Sequence, residues 1–145
     1  MAINEVEFAD LAKEIVKTAK PVSDYLASKL GKTHVIAITR NGCPACEKQK
    51  PNLDKLAAAL TQKHGDKVIF TRILVKQTAN SREESTRSKE LLGHYFYPTN
   101  MILFRTHDRG AIEYYRNSST TMSELKRNIE IAIRIVTMIQ KEKAT

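Results

Sequence analysis

The stretch Val35-Ile36-Ala37-Ile38-Thr39-Arg40-Asn41-Gly42-Cys43-Pro44-Ala45-Cys46 sets the architecture of this chain. Val35 to Thr39 is β-branched and apolar on both faces, the pattern of a strand buried inside a covered sheet. It leads directly into Asn41-Gly42-Cys43. Beyond Cys43 the apolar residues Leu53, Leu56, Ala57 and Leu60 recur at helical spacing, until His64-Gly65-Asp66 supplies a stop. Two cysteines separated by two residues therefore stand where a buried strand gives way to a helix. Cys43 falls at or beside the N-cap, and Cys46 lies one turn in, on the same side and expected to be the more buried. Pro44 fits the first helical position, where the backbone N–H has no intrahelical partner to lose. Pro51 falls inside the helix and should kink it.

Upstream, Phe8, Leu11, Ala12, Ile15, Val16 and Ala19 share one helical face, in a helix ended by Pro21. Val22 to Leu30 can form a second short helix, capped by Ser23 or Asp24 and released at Gly31. Downstream, Val68 to Val75 reads as a second buried strand. Gln77 to Ser88 has no apolar face and reads as a loop running into a helix near Glu83 to Leu92. Met101 to Phe104 and Ala111 to Tyr115 form two short strands, a hairpin around His107-Asp108-Arg109-Gly110. Ser123 offers an N-cap to a long helix through Leu125, Ile129, Ala132, Ile133, Val136 and Ile139. Its wide apolar band reads as a core face, and its extra isoleucines, Ile131 and Ile135, could instead cover the N-terminal helix or a partner subunit.

At 145 residues the chain is long enough for one domain with a real core. Hydrophobic residues at 41% and charged residues at 28% exclude disorder as the main state. The longest apolar run is Leu56 to Leu60, far short of the roughly 18 residues of a bilayer span, so no membrane partner is expected. Glu5, Glu7, Asp10 and Glu14 lie where a secretory signal would be basic and then apolar, and a cytoplasmic location is the expectation. The net charge of +8 favours anionic or acidic partners. It lacks the aromatic interleaving of a nucleic-acid surface, so nucleic acid is not an expected partner. Lys48 and Lys50 read as solvent-facing helix charges, and the oligomeric state is not legible.

Thiol–disulfide exchange needs one thiolate that attacks a disulfide and a second thiol near enough to resolve the mixed disulfide. A two-residue spacing meets that need, and unpaired N–H groups at a helix start favour negative sulfur at Cys43. The same spacing also occurs in zinc sites, haem attachment sites and plain buried pairs. Zinc would have to recruit His34, His64, His94 or His107, none at finger-like spacing, and no metal is expected.

The order of elements, Pro51 five residues beyond Cys46, and Tyr97-Pro98-Thr99 ahead of the Met101 strand together resemble the thioredoxin-like superfamily, in particular a thioredoxin or protein disulfide isomerase domain. The resemblance covers about residues 33–140. It implies an α/β thioredoxin-like fold with a central mixed sheet, flanking helices and an extra N-terminal helical extension over residues 1–32. It further implies a thiol–disulfide oxidoreductase acting on protein disulfides, with Cys43 as nucleophile, Cys46 as resolving thiol and Pro98 as a cis proline packed on the dithiol. Gly42, Pro44, Ala45, Tyr97 and Thr99 would border the substrate, Tyr97 through its backbone. The Cys43–Cys46 pair would be the redox carrier, with no further cofactor. An unidentified reductase or oxidase would recycle it.

Three positions depart from the family pattern. Gly42 replaces the tryptophan before the first cysteine, and Ala37 replaces the buried carboxylate six residues before it. Ser118 or Ser119 stands where the isomerase carries an arginine. Without that carboxylate, Arg72 reads as a surface or edge charge. The alternative the departures favour is a non-catalytic protein-binding module on the same fold.

Overall fold

Residues 2–106, 110–118 and 121–144 are described by the structure, a computed structural model of the chain. Alternate residues of the central strand β2, Thr33–Arg40, enter two separate apolar layers. Val35 and Ala37 face one core, and Ile36 and Ile38 face the other, as the two-residue period of a strand requires. β2 lies in a five-stranded sheet with β1 (Ile3–Glu7), β3 (Val68–Val75), β4 (Thr99–Phe104) and β5 (Ile112–Asn117). The order is β1-β3-β2-β4-β5. β1 and β2 run parallel to β3, whereas β4 runs antiparallel to β2 and β5.

Helix α3 (Pro44–His64) and helix α5 (Met122–Ala144) cover the face that carries Val35 and Ala37. Leu53, Ala57, Leu60, Leu125, Ile129 and Ala132 are among the helix residues buried in that layer. Helices α1 (Phe8–Thr18), α2 (Val22–Leu26) and α4 (Glu83–Leu92) cover the other face, with Phe8, Ala12, Leu26 and Leu92 against Ile36, Ile38 and Ile73. Ile135 belongs to the α3–α5 layer. It therefore packs against that core, across the sheet from the N-terminal helices.

Several local expectations are corrected. Ile3–Glu7 is a strand paired along β3, which a polar, glutamate-containing pentapeptide did not announce. Helix α1 closes on Ala19 in the left-handed conformation (φ 52°), two residues before Pro21. Helix α2 has Pro21 at its N-cap and ends at Leu26, so neither Ser23 nor Asp24 caps it; Asp24 instead accepts the Ala111 N–H at 3.2 Å. Thr121, not Ser123, caps α5, its hydroxyl accepting the Glu124 N–H at 3.1 Å within a Thr-x-x-Glu sequence. Pro51 does lie inside helix α3, which continues past it. Of the expected hairpin turn, His107 to Arg109 lie outside the described residues.

Helix α4 explains its own missing apolar stripe. Its buried residues are Ser85, Ser88 and Leu92, at i, i+3 and i+7. Small hydroxyl side chains occupy the inward face because they are hydrogen-bonded there, as a buried polar group must be.

Candidate active site

The strand–helix junction places both cysteines at the end of β2. Gly42 adopts φ 67°, a left-handed turn residue with open space where a Cβ would project. Cys43 is the N-cap of α3 with extended backbone, Pro44 opens the first turn, and Cys46 follows at its end. The Cys46 backbone N–H donates to Cys43 Sγ at 3.1 Å, so the helix start directs a donor at that sulfur. The two cysteines form a disulfide with Cα atoms 5.2 Å apart. Each is 5% exposed, so the expected difference in burial is absent in the oxidised pair. What distinguishes Cys43 is the helix-terminal donor.

Opposite the dithiol, the Tyr97–Pro98 peptide bond is cis, as the resemblance implied. The Tyr97 carbonyl oxygen lies 3.6 Å from Cys43 Sγ. Pro98 is buried and also borders a cavity of about 470 Å³ lined by Ala45, Lys48, Gln49, Asn52 and Ser118. Pro44 and Ala45 are exposed beside it. The structure thus brings Cys43, Cys46, Pro44, Ala45, Tyr97 and Pro98 to one place. Thr99 is different. It is 3% exposed, and its hydroxyl donates to the Phe96 carbonyl at 2.7 Å, so its side chain is turned inward and ties the loop together.

The segment before Pro98 is fastened on several sides. The Tyr97 hydroxyl lies 3.0 Å from Ser85 Oγ, and its ring takes Arg40 at 5.4 Å and Lys89 at 5.8 Å. Tyr95 and Phe96, by contrast, are 81% and 67% exposed. On the other side of the dithiol, the Asn41 amide exchanges hydrogen bonds with the Gln77 backbone at 2.7 and 2.8 Å, joining the turn to the segment after β3.

Beneath the cysteines the sheet carries an unpredicted polar layer. Ala37 is in register with Arg72 on β3 and Asn100 on β4, and Arg72 is in register with Glu5 on β1. The Arg72 side chain is 9% exposed and bridges Glu5 (3.0 Å) and Asp54 (2.7 Å), so it is a buried ion-paired cation and not a surface charge. The strand missed in the sequence supplies one of its two partners. Arg72, Glu5, Thr39, Arg40, Glu47 and Lys50 border a cavity of about 80 Å³ that reaches Cys46. Asn100 is paired amide to amide with Gln49 on α3.

Sequence reasoning missed Ser85, Ser88 and the Gln49–Asn100 pair, took Arg72 for a surface or edge charge, and weighed His94 only as a zinc ligand. Only the serines had a readable signal, their i, i+3 spacing ahead of Leu92. No described helix is long and apolar enough to cross a membrane.

No protein-family model matches the chain, and no curated protein sequence matches it. Solved structures do. Spinach chloroplast thioredoxin f, in its short form, superposes with a TM-score of 0.54 at 22% identity, over 91% of this chain and 93% of that one. Thioredoxin f2 of Chlamydomonas reinhardtii gives 0.57 at 15% identity, over 90% and 95%. Thioredoxin f2 in complex with ferredoxin:thioredoxin reductase gives 0.54 at 22% identity, over 90% and 94%. With the sheet order, the Cys43–Cys46 pair at the start of α3 and Pro98 opposite it, these similarities show that the chain has the thioredoxin-like fold.

Proposed function

We propose that the protein is a thiol–disulfide oxidoreductase acting on protein disulfides through Cys43 and Cys46. The observation that carries this reading is the pairing of a helix-capping Cys43, which receives the Cys46 N–H, with the Tyr97 carbonyl 3.6 Å away. In the reduced protein, Cys43 thiolate attacks one sulfur of a substrate disulfide. A Cys43–substrate bond forms, the substrate S–S bond breaks, and the departing sulfur leaves as a thiolate. Cys46 then loses its proton and attacks Cys43 Sγ, closing the intramolecular disulfide and releasing the second substrate thiolate. Two electrons pass from the dithiol to the substrate, and a dithiol reductant resets the pair. The reverse sequence oxidises a substrate dithiol.

The dithiol itself carries the electrons, so no further cofactor is needed. A reductase as recycling partner is supported by the similarity to a thioredoxin solved with one. A reducing, cytoplasmic setting is proposed with it, in keeping with a chain whose two cysteines both belong to the active pair. Tyr95 and Phe96, exposed ahead of the Tyr97 backbone, suit an extended polypeptide substrate.

The test is turnover of a disulfide-bonded protein by the reduced chain with a dithiol reductant, beside Cys43→Ser. The oxidoreductase reading expects turnover that Cys43→Ser abolishes. Binding of the same protein without turnover would support a non-catalytic binding module instead.

A further inference from the structure

His94 lies at the start of the segment that ends in Pro98, and it is 3% exposed. Its two ring nitrogens have different partners. Nδ1 is 3.3 Å from the Phe96 carbonyl, which can only accept, so Nδ1 carries the hydrogen. In the neutral ring Nε2 is then an acceptor, and the Ser88 hydroxyl donates to it at 2.7 Å. The ring also packs edge-on against Tyr97, with centroids 4.9 Å apart. One buried imidazole thus joins helix α4 to both residues that precede Pro98.

The charges around it come from two elements. Lys89 is on α4, and Arg116 reaches over from β5, donating to the Leu92 and Gly93 carbonyls and pairing with Glu113. Among the described residues, the titratable Tyr97 also packs against the ring. Burial first, and then the Arg116 and Lys89 cations, hold the imidazole below its ordinary pKa, against the pull of the Phe96 carbonyl. At neutral pH the ring is neutral, and the donor–acceptor pattern just described is complete.

We propose that His94 is a positioning residue of this site: wedged between Ser88, the Phe96 carbonyl and the Tyr97 ring, it holds the Tyr97 backbone against Cys43, and a proton added at Nε2 releases that segment. The proton comes from solvent, and no bond other than N–H forms. An imidazolium has two donors, so the Ser88 hydroxyl loses its acceptor, and a charge is left buried beside Lys89 and Arg116. Turning the ring outward relieves both, and Phe96 and Tyr97 move with it. The consequence for exchange rests on the oxidoreductase reading, since only that reading gives the Tyr97 backbone a substrate.

The test compares two rates on the reduced protein between pH 4.5 and 7.5, exchange with a peptide disulfide and with a small aromatic disulfide. Their ratio cancels the thiolate fraction of Cys43, which is common to both. The expected ratio falls about tenfold per pH unit below the His94 pKa, as a single protonation dictates. His94→Asn keeps a donor toward Phe96 and cannot titrate, so its ratio should stay flat and within about twofold of the wild-type plateau. His94→Phe fills the space without hydrogen bonds and should lower the ratio at every pH. A wild-type profile in His94→Phe, or an acid limb that persists in His94→Asn, overturns the proposal.

A second readout needs no activity. In the oxidised protein, the Phe96 and Tyr97 amide resonances should shift with the same midpoint as the His94 ring protons. If they do and no exchange is found, the oxidoreductase reading fails and the positioning role stands. If they stay fixed while His94 titrates, the positioning role fails.

Discussion

Replacing Gln49 by Leu would measure how tightly the cysteine-bearing helix is tied to the strand that follows Pro98. Gln49 Nε2 donates to Asn100 Oδ1 at 3.1 Å, and Asn100 Nδ2 donates back to Gln49 Oε1 at 2.8 Å. Asn100 is 1% exposed, whereas Gln49 is only half-buried. Gln49→Leu therefore leaves both an amide donor and an amide acceptor of Asn100 without a partner and without water. At about 1–3 kcal/mol for a stranded buried group, with one group partly relieved by rearrangement, the loss is about 3 kcal/mol. Asn100→Leu leaves the partner free to turn toward solvent and should cost only about 1 kcal/mol. The double substitution replaces two amides by two apolar groups of similar shape and should cost little more than Asn100→Leu alone. The coupling energy is then about 2–3 kcal/mol. Urea unfolding of the four proteins reads it as midpoint shifts at a common slope. Costs that add to within about 0.5 kcal/mol, or a costlier Asn100→Leu, would refute the reasoning.

Three further outcomes follow from the same structure. In the reduced protein Cys43 should be alkylated by iodoacetamide well before Cys46 below pH 8, because the helix start directs its N–H groups at that sulfur; peptide mapping of partly alkylated protein checks this. His34, whose Nε2 accepts the Lys29 N–H at 3.3 Å, and His94 are both held by burial below the ordinary histidine pKa, so the unfolded chain binds their protons first. Stability should be full above pH 6.5 and fall as pH drops below it, by at most about 1.4 kcal/mol per pH unit for each histidine until its folded-state pKa is passed, and denaturant titrations between pH 7.5 and 5 should show a shallower slope in His94→Asn. Thr121→Ala should cost about 1 kcal/mol in thermal or urea unfolding, with Ser123→Ala near neutral, since only Thr121 caps helix α5.

Much of the fold was legible because its buried elements have strong periods. Val68–Val75 and Glu83–Leu92 fall at the expected bounds, and the strand leading into Asn41-Gly42-Cys43 extends the expected one by two residues at its start and one at its end. The site's centre was legible for the same reason, since a strand, two spaced cysteines and a Tyr-Pro-Thr before another strand are local patterns. What was not legible is set by pairing across the chain. Ile3–Glu7 becomes a strand only because β3 offers it an edge, and its sequence alone shows no alternation that a solvated segment lacks. Arg72 read as a surface charge because its partners Glu5 and Asp54 are distant in sequence and arrive on β1 and α3. The loop before Pro98 is fixed by Ser85, Ser88 and His94, polar residues whose burial no hydropathy pattern reveals. Thr99 sat in the right tripeptide, but its hydroxyl turned inward to Phe96.

The central claim, that Cys43 exchanges with protein disulfides and Cys46 resolves the product, is tested most directly by trapping. Reduced Cys46→Ser is mixed with a disulfide-bonded protein, quenched with acid, and the products are mapped by mass spectrometry. The account predicts a covalent complex joined through Cys43, resolved by added dithiol, and no complex with Cys43→Ser. No complex from Cys46→Ser, while the protein remains folded and Cys43 remains reactive toward iodoacetamide, would contradict it.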